Sequence, residues 1–339
     1  MEKRKVFKIQ KKIINQKSKT FVISEIGINH EGSLSKCIKM IELSKKAKAD
    51  AVKLQTINPD LSYVKNSKSF KEFQNCNFND EELFKIINYA KKIGIIFIST
   101  PGSFEEVEKL KKFKADGIKI SSGLLTNYPL ISHAAKNFKS IIISTGMAYL
   151  REIKQAVSAC KNNKNLAILK CTSLYPSKDN EINLNSIEDF HKHFKNIIGF
   201  SDHTKDELSC LAAVSKGAKI IEKHFTLNTK RKGKDHHISL NPSNFKIMIE
   251  KIRRIDLMQG KRKIYPEKKE ILNRKLFHRY ILAKKDIFKG EKFSLQNLSI
   301  KRQIISSRKD LKPLYLNRLI GKKSKRQIKK DKPLIIKDL

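Results

Sequence analysis

One theme dominates this chain and limits what it can fold into. Eight times, a short apolar, β-branched run ends in small polar or ionisable residues and gives way to an amphipathic stretch. The runs are 21–26, 51–54, 95–99, 117–120, 140–144, 166–170, 196–200 and 219–222. A strand covered on both faces reads as a continuous apolar run, and the stretches between supply the covering helices. Asn79 with Glu82 and Ser103 with Glu106 have capping-box spacing, in which side chain and carboxylate satisfy the free N–H groups of a helix start. Leu34, Ile38 and Ile41 fit one helical face. Eight strand–helix units in about 240 residues predict an α/β fold of the (β/α)8 TIM-barrel type rather than an open doubly wound sheet. No G-x-G-x-x-G follows the first run, which argues against a dinucleotide-binding fold.

After residue 260 the texture changes to a Lys-rich connector, 261–275, and then to short apolar runs at 280–283, 298–300 and 334–336, with Lys289-Gly290 and Gly321 as punctuation. This predicts a barrel over 1–265, a linker over 266–278 and a small, mainly β module over 279–339. A module of that size is marginal alone and is expected to pack on something.

Lys and Arg number 73 against 33 Asp and Glu, a formal net charge of +40. Residues 261–339 hold 26 basic and 7 acidic side chains, and 20–260 hold 39 and 25. Such a surplus favours anionic partners: nucleic acid, membrane surfaces or metabolites. The run Lys322-Lys323-Ser324-Lys325-Arg326 resembles a nucleic-acid patch, but lysine crowds the solvated helical faces everywhere and no nucleic-acid motif accompanies it. Nucleic acid is therefore not the expected partner. No run approaches the ~18 apolar residues of a membrane span, and the basic segment 1–19 lacks the apolar stretch of a signal peptide. A cytoplasmic protein with no membrane partner is expected. The five cysteines, Cys37, Cys76, Cys160, Cys171 and Cys210, are scattered without a C-x-x-C pair and read as reduced, mostly buried thiols.

Barrel chemistry sits at the C-terminal strand ends. Here they carry Glu25 to His30, Lys53 to Thr56, Ser99 to Pro101, Lys119 to Gly123, Ser144 to Met147, Lys170 to Pro176, Ser201 to Thr204 and Glu222 to Thr226. His203 and His224 close adjacent strands, so their imidazoles could share one divalent cation. Either histidine alone would be read as a structural one. Lys53, Lys119 and the hydroxyls of Thr100, Ser122, Ser144 and Ser201 are donors suited to a phosphate and a carboxylate. Ser99 and Thr145 are read as helix-capping hydroxyls. Glu222, two residues before His224, shares its strand face and could orient a water on the metal or a substrate hydroxyl.

As a set these motifs resemble the sialic acid synthase family, phosphoenolpyruvate-condensing enzymes that make nine-carbon nonulosonic acids. The matching strings are EIGINH (Glu25 to His30), KLQT (Lys53 to Thr56), STP (Ser99 to Pro101), NYPL (Asn127 to Leu130), STGM (Ser144 to Met147), SDHT (Ser201 to Thr204) and EKHFT (Glu222 to Thr226). The stretch Ala283 to Gly290, with Lys301-Arg302, looks like the antifreeze-like SAF domain that follows the barrel in that family.

The resemblance implies condensation of phosphoenolpyruvate with the open-chain aldehyde of an N-acetylated mannosamine. N-acetylmannosamine, giving N-acetylneuraminate, is the first expectation. The alternative is 2,4-diacetamido-2,4,6-trideoxymannose, giving N,N'-diacetyllegionaminate. A rival of another class is a barrel without activity whose basic tail binds nucleic acid. The resemblance further implies Mn2+ or Mg2+ on His203 and His224 as a Lewis acid, with Glu25 and Glu222 also catalytic. Lys53, Thr100, Lys119, Ser122, Ser144, Ser173 and Ser201 would hold phosphoenolpyruvate; Glu25, Gln55, Tyr175, Asp235 and Arg302 would hold the sugar. Arg302 would act in trans, in a domain-swapped homodimer. Four positions depart from the family pattern: Leu124 replaces Glu, Lys234 replaces Pro, and Gln303 and Ile304 replace Pro-Gly. EIGINH argues against the pseudaminic branch.

Overall fold

The computed structural model describes residues 6–160, 163, 165–260, 263–303, 307 and 309–338. Ile304 and Lys261, both singled out by the sequence, lie outside them. The chain divides into two units, Met1–Gly260 and Lys261–Leu339.

The first unit opens with an antiparallel hairpin, β1 (Phe7–Ile9) and β2 (Lys12–Ile14). Eight parallel strands follow: β3 (Phe21–Gly27), β4 (Ala51–Gln55), β5 (Ile96–Thr100), β6 (Gly117–Ile120), β7 (Ile141–Ser144), β8 (Leu166–Cys171), β9 (Ile197–Asp202) and β10 (Ile220–His224). They close in sequence order, with β10 pairing back to β3. Each expected run is a strand within two residues of its expected ends, and the TIM barrel is the observed fold.

The helices between them are α1 (Leu34–Lys46), α2 (Pro59–Ser62), α3 (Lys68–Phe73), α4 (Asp80–Lys92), α5 (Phe104–Lys112), α6 (Tyr128–Asn137), α7 (Leu150–Ala159), α8 (Ser186–His193), α9 (Leu208–Ser215) and α10 (Pro242–Met258). The two expected capping boxes open α4 and α5. At α5 the carboxylate does more than cap: Glu106 also accepts from the backbone N–H groups of Asn58 and Gly102, tying together the loops that leave β4 and β5.

Two apolar layers hold the barrel. Outward residues such as Val22, Val52, Phe97, Ile143 and Ile198 pack under the helices. Inward residues Phe21, Ile23, Ala51, Ile98, Ile142, Leu169 and Ile220 fill the axis. Phe7, Ile9 and Ile14 of the hairpin belong to that inner cluster. The hairpin is thus a plug, where the sequence showed only a basic tail. Gly117 makes room for it, since a Cβ there would lie 2.9 Å from Ile9 Cδ1.

The second unit begins with α11 (Lys268–Phe277), so most of the expected linker is helical. β11 (Tyr280–Ala283) pairs antiparallel with β12 (Leu298–Lys301), and a short helix, α12 (Leu316–Leu319), follows. The third expected run, 334–336, is not a strand. It joins through the isolated bridges Leu282↔Pro333 and Asp310↔Ile335 and turns into a 3-10 turn, Ile336–Asp338, whose buried Asp338 pairs with Arg326. Ile281, Ile287, Phe293, Leu298, Leu311, Ile328 and Leu334 form this unit's own small core. All five cysteines are free and buried. No helix among the described residues is long and apolar enough to cross a membrane.

Candidate active site

Alternate residues of a strand share a face, so each barrel strand carries one inward register. Along β3 it reads Phe21, Ile23, Glu25; along β4, Ala51, Lys53, Gln55; along β10, Ile220, Glu222, His224. The lower positions fill the apolar axis, and the upper ones turn polar together at the C-terminal mouth.

Four buried charged side chains form the floor of that mouth. Lys53 Nζ lies 2.8 Å from Glu25 Oε1 and 3.9 Å from Glu222 Oε1; Lys119 Nζ lies 3.5 Å from the same Glu222 oxygen. Glu222 also accepts from Ser201 Oγ at 3.0 Å, and Gln55 Nε2 donates to Glu25 Oε1 at 3.1 Å. Thr100 Oγ1 accepts from Lys53 at 3.4 Å.

The environment drives the two carboxylates apart. Burial raises Glu25, beyond what Lys53 can offset, to about 7. Burial acts on Glu222 the same way, but Lys119 and Lys53 outweigh it and hold this carboxyl below the usual range. For Lys53 the carboxylates overcome burial and raise its pKa, whereas burial wins at Lys119 and lowers it. Two carboxyls in one cleft with opposite protonation tendencies are the arrangement that acid–base chemistry uses.

Beside this floor lies a cradle of hydroxyls. Gly146 N donates to Ser122 Oγ at 3.0 Å, and a Cβ on Gly146 would collide with the hydroxyls of Ser122 and Ser173. Ser144 Oγ and Ser173 Oγ are buried without a hydrogen-bond partner among the described residues, as are Glu25 Oε2, Glu222 Oε2 and His224 Nδ1. Unsatisfied buried polar groups are costly, so this many at one mouth mark a place for polar ligands. By contrast Ser99 and Thr145 donate to the carbonyls of Leu54 and Leu169, and so are structural, though not as the helix caps expected.

His203 and His224 stand with ring centroids 5.5 Å apart. His203 Nδ1 donates to the Thr172 carbonyl at 2.7 Å, so Nε2 is the nitrogen that would ligate when the ring is deprotonated. His224 Nδ1 is 3.7 Å from Asp235 Oδ2, and burial, followed by the neighbouring cations, keeps this imidazole neutral. Burial would lower His203, but the Cys171 thiol and the Thr172 carbonyl beside it raise its pKa instead. A divalent cation would displace the proton this favours, and the paired imidazoles with a nearby carboxylate fit such an ion. Among the described residues there is no cluster of three or more His, Cys, Asp or Glu side chains built for one, so other oxygens must complete any shell.

Tyr175 stacks on His203 at 4.1 Å, and Asp235 sits beside His224. Asn29 places Asp235: its Oδ1 accepts from Asp235 N at 3.1 Å, and its Nδ2 donates to Phe225 O and Ser239 Oγ, both at 3.0 Å. The sequence reading gave Asn29 no role, although it lies within EIGINH. It also gave none to Cys171, whose Sγ is 3.8 Å from His203 Nδ1. Burial would raise that thiol, but His203, Ser122 and Lys119 bring it down to about 7.

Thus Glu25, Lys53, Gln55, Thr100, Lys119, Ser122, Ser144, Ser173, Tyr175, Ser201, His203, Glu222, His224 and Asp235 all lie at the barrel mouth. Arg302 belongs to the second unit, where its exposed guanidinium stacks on Phe277 at 5.1 Å. Of the departures, Leu124 ends a short 3-10 turn (Ser122–Leu124) and packs against the barrel core. Lys234 takes a left-handed φ of 49° and donates to the Glu72 carbonyl. Gln303 donates to Asp310 at 2.6 Å.

The NeuB family model matches residues 40–264 and the SAF domain model residues 278–339. The chain is 38% identical to the N,N'-diacetyllegionaminic acid synthase of Campylobacter jejuni, over 84% of this chain and 90% of that protein. It is 34% identical to the pseudaminic acid synthase of the same organism, over 93% and 95%. Among solved structures, the N-acetylneuraminic acid synthetase of Leptospira borgpetersenii superposes with a TM-score of 0.76 at 30% identity, over 80% of this chain and 96% of that one. The chain therefore belongs to the NeuB family and is an enzyme of the nonulosonate synthase type, its barrel followed by a SAF domain.

Proposed function

We propose that the barrel mouth joins phosphoenolpyruvate to the open-chain aldehyde of N-acetylmannosamine, forming a C–C bond and releasing phosphate. One observation carries this reading. Two buried lysines, Lys53 and Lys119, converge on one carboxylate oxygen of Glu222, at 3.9 and 3.5 Å, while Glu25 is pushed towards its neutral form. Buried positive charge in excess calls for an anionic ligand. Phosphoenolpyruvate supplies a phosphate and a carboxylate for these lysines and for the hydroxyls of Thr100, Ser122, Ser144, Ser173 and Ser201.

Gln55, Tyr175, Asp235 and Glu25 would hold the sugar. Carbon 3 of phosphoenolpyruvate attacks the aldehyde carbon, and protonated Glu25 gives its proton to the oxygen that becomes a hydroxyl. Water adds to the cationic carbon 2 and loses a proton towards Glu222. The C–O bond to phosphate then breaks, and loss of the second water proton leaves a keto acid. Mn2+ or Mg2+ on His203 and His224 would supply Lewis-acid polarisation of the aldehyde. The expected domain-swapped homodimer belongs to the same proposal, with Arg302 of one subunit serving the other's sugar. So does a cytoplasmic setting, where phosphoenolpyruvate is available.

The 38% identity to a diacetyllegionaminic acid synthase favours a second reading, with 2,4-diacetamido-2,4,6-trideoxymannose as the sugar. Comparing kcat/KM for the two sugars at saturating phosphoenolpyruvate tests the choice. A preference of about tenfold or more for N-acetylmannosamine, some 1.4 kcal/mol, supports the first reading, and the reverse supports the second.

A further inference from the structure

Five lysines are buried among the described residues: Lys53, Lys119, Lys170, Lys219 and Lys223. Four have a carboxylate within reach: Glu25 for Lys53, Glu222 for Lys119, Asp256 for Lys219 and Asp202 for Lys223. Lys170, only 6% exposed, pairs with no carboxylate among the described residues. Its ammonium donates to Thr172 Oγ1 at 2.7 Å and to the Ile182 carbonyl, and it lies 5.8 Å from the centre of the Phe200 ring. An ammonium carries three donors, so one remains open.

Lys170 does not face the barrel axis. Its neighbour Leu169 belongs to the inner cluster, so by strand alternation Lys170 points outward, into the helix layer. There it lines a cavity of about 770 Å³ between α7 and α8. Met147, Tyr149, Leu150, Leu174, Phe190 and Phe194 form much of the rest of the wall. Met147 and Tyr149 are 72% and 79% exposed, a large apolar outlay for a rim. Asp189 also lines the cavity but is engaged by Lys192 at 2.9 Å. Ligand cavities commonly measure ~300–1,000 Å³ and combine apolar walls with a few placed polar groups.

We propose that this cavity is a second ligand site, on the outer face of β8 and sharing only the Cys171 to Ser173 segment with the barrel mouth, for a small molecule with a carboxylate head on Lys170 and an aromatic or branched apolar body between α7 and α8. A carboxylate supplies the counter-charge that the other four buried lysines already possess. The size and wall chemistry suit a phenylalkanoate better than a sugar or a second phosphoenolpyruvate. The inner wall is the segment from Cys171 to Ser173 that leaves β8, where the Thr172 carbonyl holds His203, so an occupant would lie against the back of the reaction centre.

The test is calorimetric titration of the full-length protein with 3-phenylpropionate and with its neutral counterpart 3-phenylpropan-1-ol, each with and without saturating phosphoenolpyruvate. One site per chain is expected, unaffected by phosphoenolpyruvate, with the carboxylate binding about tenfold or more tightly than the alcohol. Lys170→Met should erase that difference, and Leu150→Trp, which fills the cavity and keeps the lysine, should weaken both probes. Circular dichroism establishes that each variant is folded. Three results overturn the proposal: competition with phosphoenolpyruvate, which places the probe at the mouth; unchanged binding in both variants; or no binding of either probe at 20-fold excess, the cavity then being covered by another protein surface.

Discussion

Glu25 and Lys53 stand 2.8 Å apart on adjacent strands, both sealed from water, yet the carboxyl is driven towards its neutral form. The pair fails to hold the charge because Glu222 draws on the same ammonium from 3.9 Å and Glu25 Oε2 has no hydrogen-bond partner among the described residues. Desolvation therefore decides the outcome. An ion pair that looks structural in distance thus leaves a proton available at neutral pH.

The pH dependence of stability follows from the sign of that shift. Between the ordinary carboxylate range and about 7, folded Glu25 holds a proton that the unfolded chain releases. Stability from this group is therefore present at low pH and lost as pH rises through about 7. Glu25→Gln should remove this pH dependence, so that its stability relative to the parent rises between pH 5 and pH 8. Urea unfolding of the metal-free protein at pH 5 and 8 checks this, and identical pH slopes in the two proteins would refute it.

The hydroxyl cradle predicts a selective kinetic defect. In Gly146→Ala the new Cβ meets the oxygens of Ser122 and Ser173, which must move. KM for phosphoenolpyruvate should rise about tenfold or more while KM for the sugar changes little. Steady-state kinetics with each substrate varied in turn would show it. Equal rises in both constants would contradict the assignment of the cradle.

Removing either imidazole should weaken divalent metal without unfolding the barrel. His203→Ala and His224→Ala are expected to lower Mn2+ affinity by at least tenfold, as measured by titration calorimetry, with the far-ultraviolet spectrum unchanged. Retention of parental Mn2+ affinity in both variants would remove the metal from these histidines.

The hairpin plug makes a prediction about stability alone. Phe7 is fully buried within the inner barrel cluster. Phe7→Ala should cost about 3–5 kcal/mol in chemical denaturation. A cost under 1 kcal/mol would show that the hairpin does not seal the barrel.

The barrel was legible because it is repetitive: each strand is an apolar run of ordinary length, and its polar end is a change of composition that recurs in step. The same alternation that places Ile23 below Glu25 places Ile220 below Glu222, so the floor of the site could be read strand by strand. The hairpin was not legible. Its two strands are three residues each, Phe7–Ile9 and Lys12–Ile14, and lysines flank the buried positions. Its burial comes from the barrel it enters, not from its own pattern. The run 334–336 failed as a strand for the opposite reason: its apolar residues are there, but single bridges and the buried Asp338 set the local path. Asn29 and Cys171 escaped attention because their roles depend on contacts with Asp235 and His203, far away in sequence. The protonation contrast between Glu25 and Glu222 likewise needs the distances to two lysines, which no spacing reports.

The central claim is that two buried lysines and two unequal carboxyls couple phosphoenolpyruvate to a sugar aldehyde. Its most direct test is phosphate release by the full chain with Mn2+, phosphoenolpyruvate and either N-acetylmannosamine or 2,4-diacetamido-2,4,6-trideoxymannose, with EDTA and Lys119→Met as controls. The account predicts phosphate in equal amount to a nine-carbon keto acid, only when sugar and metal are both present, and a rate reduced by about a hundredfold or more in Lys119→Met. Phosphate release that proceeds without sugar, or that is unaffected by loss of the Lys119 ammonium, would contradict it.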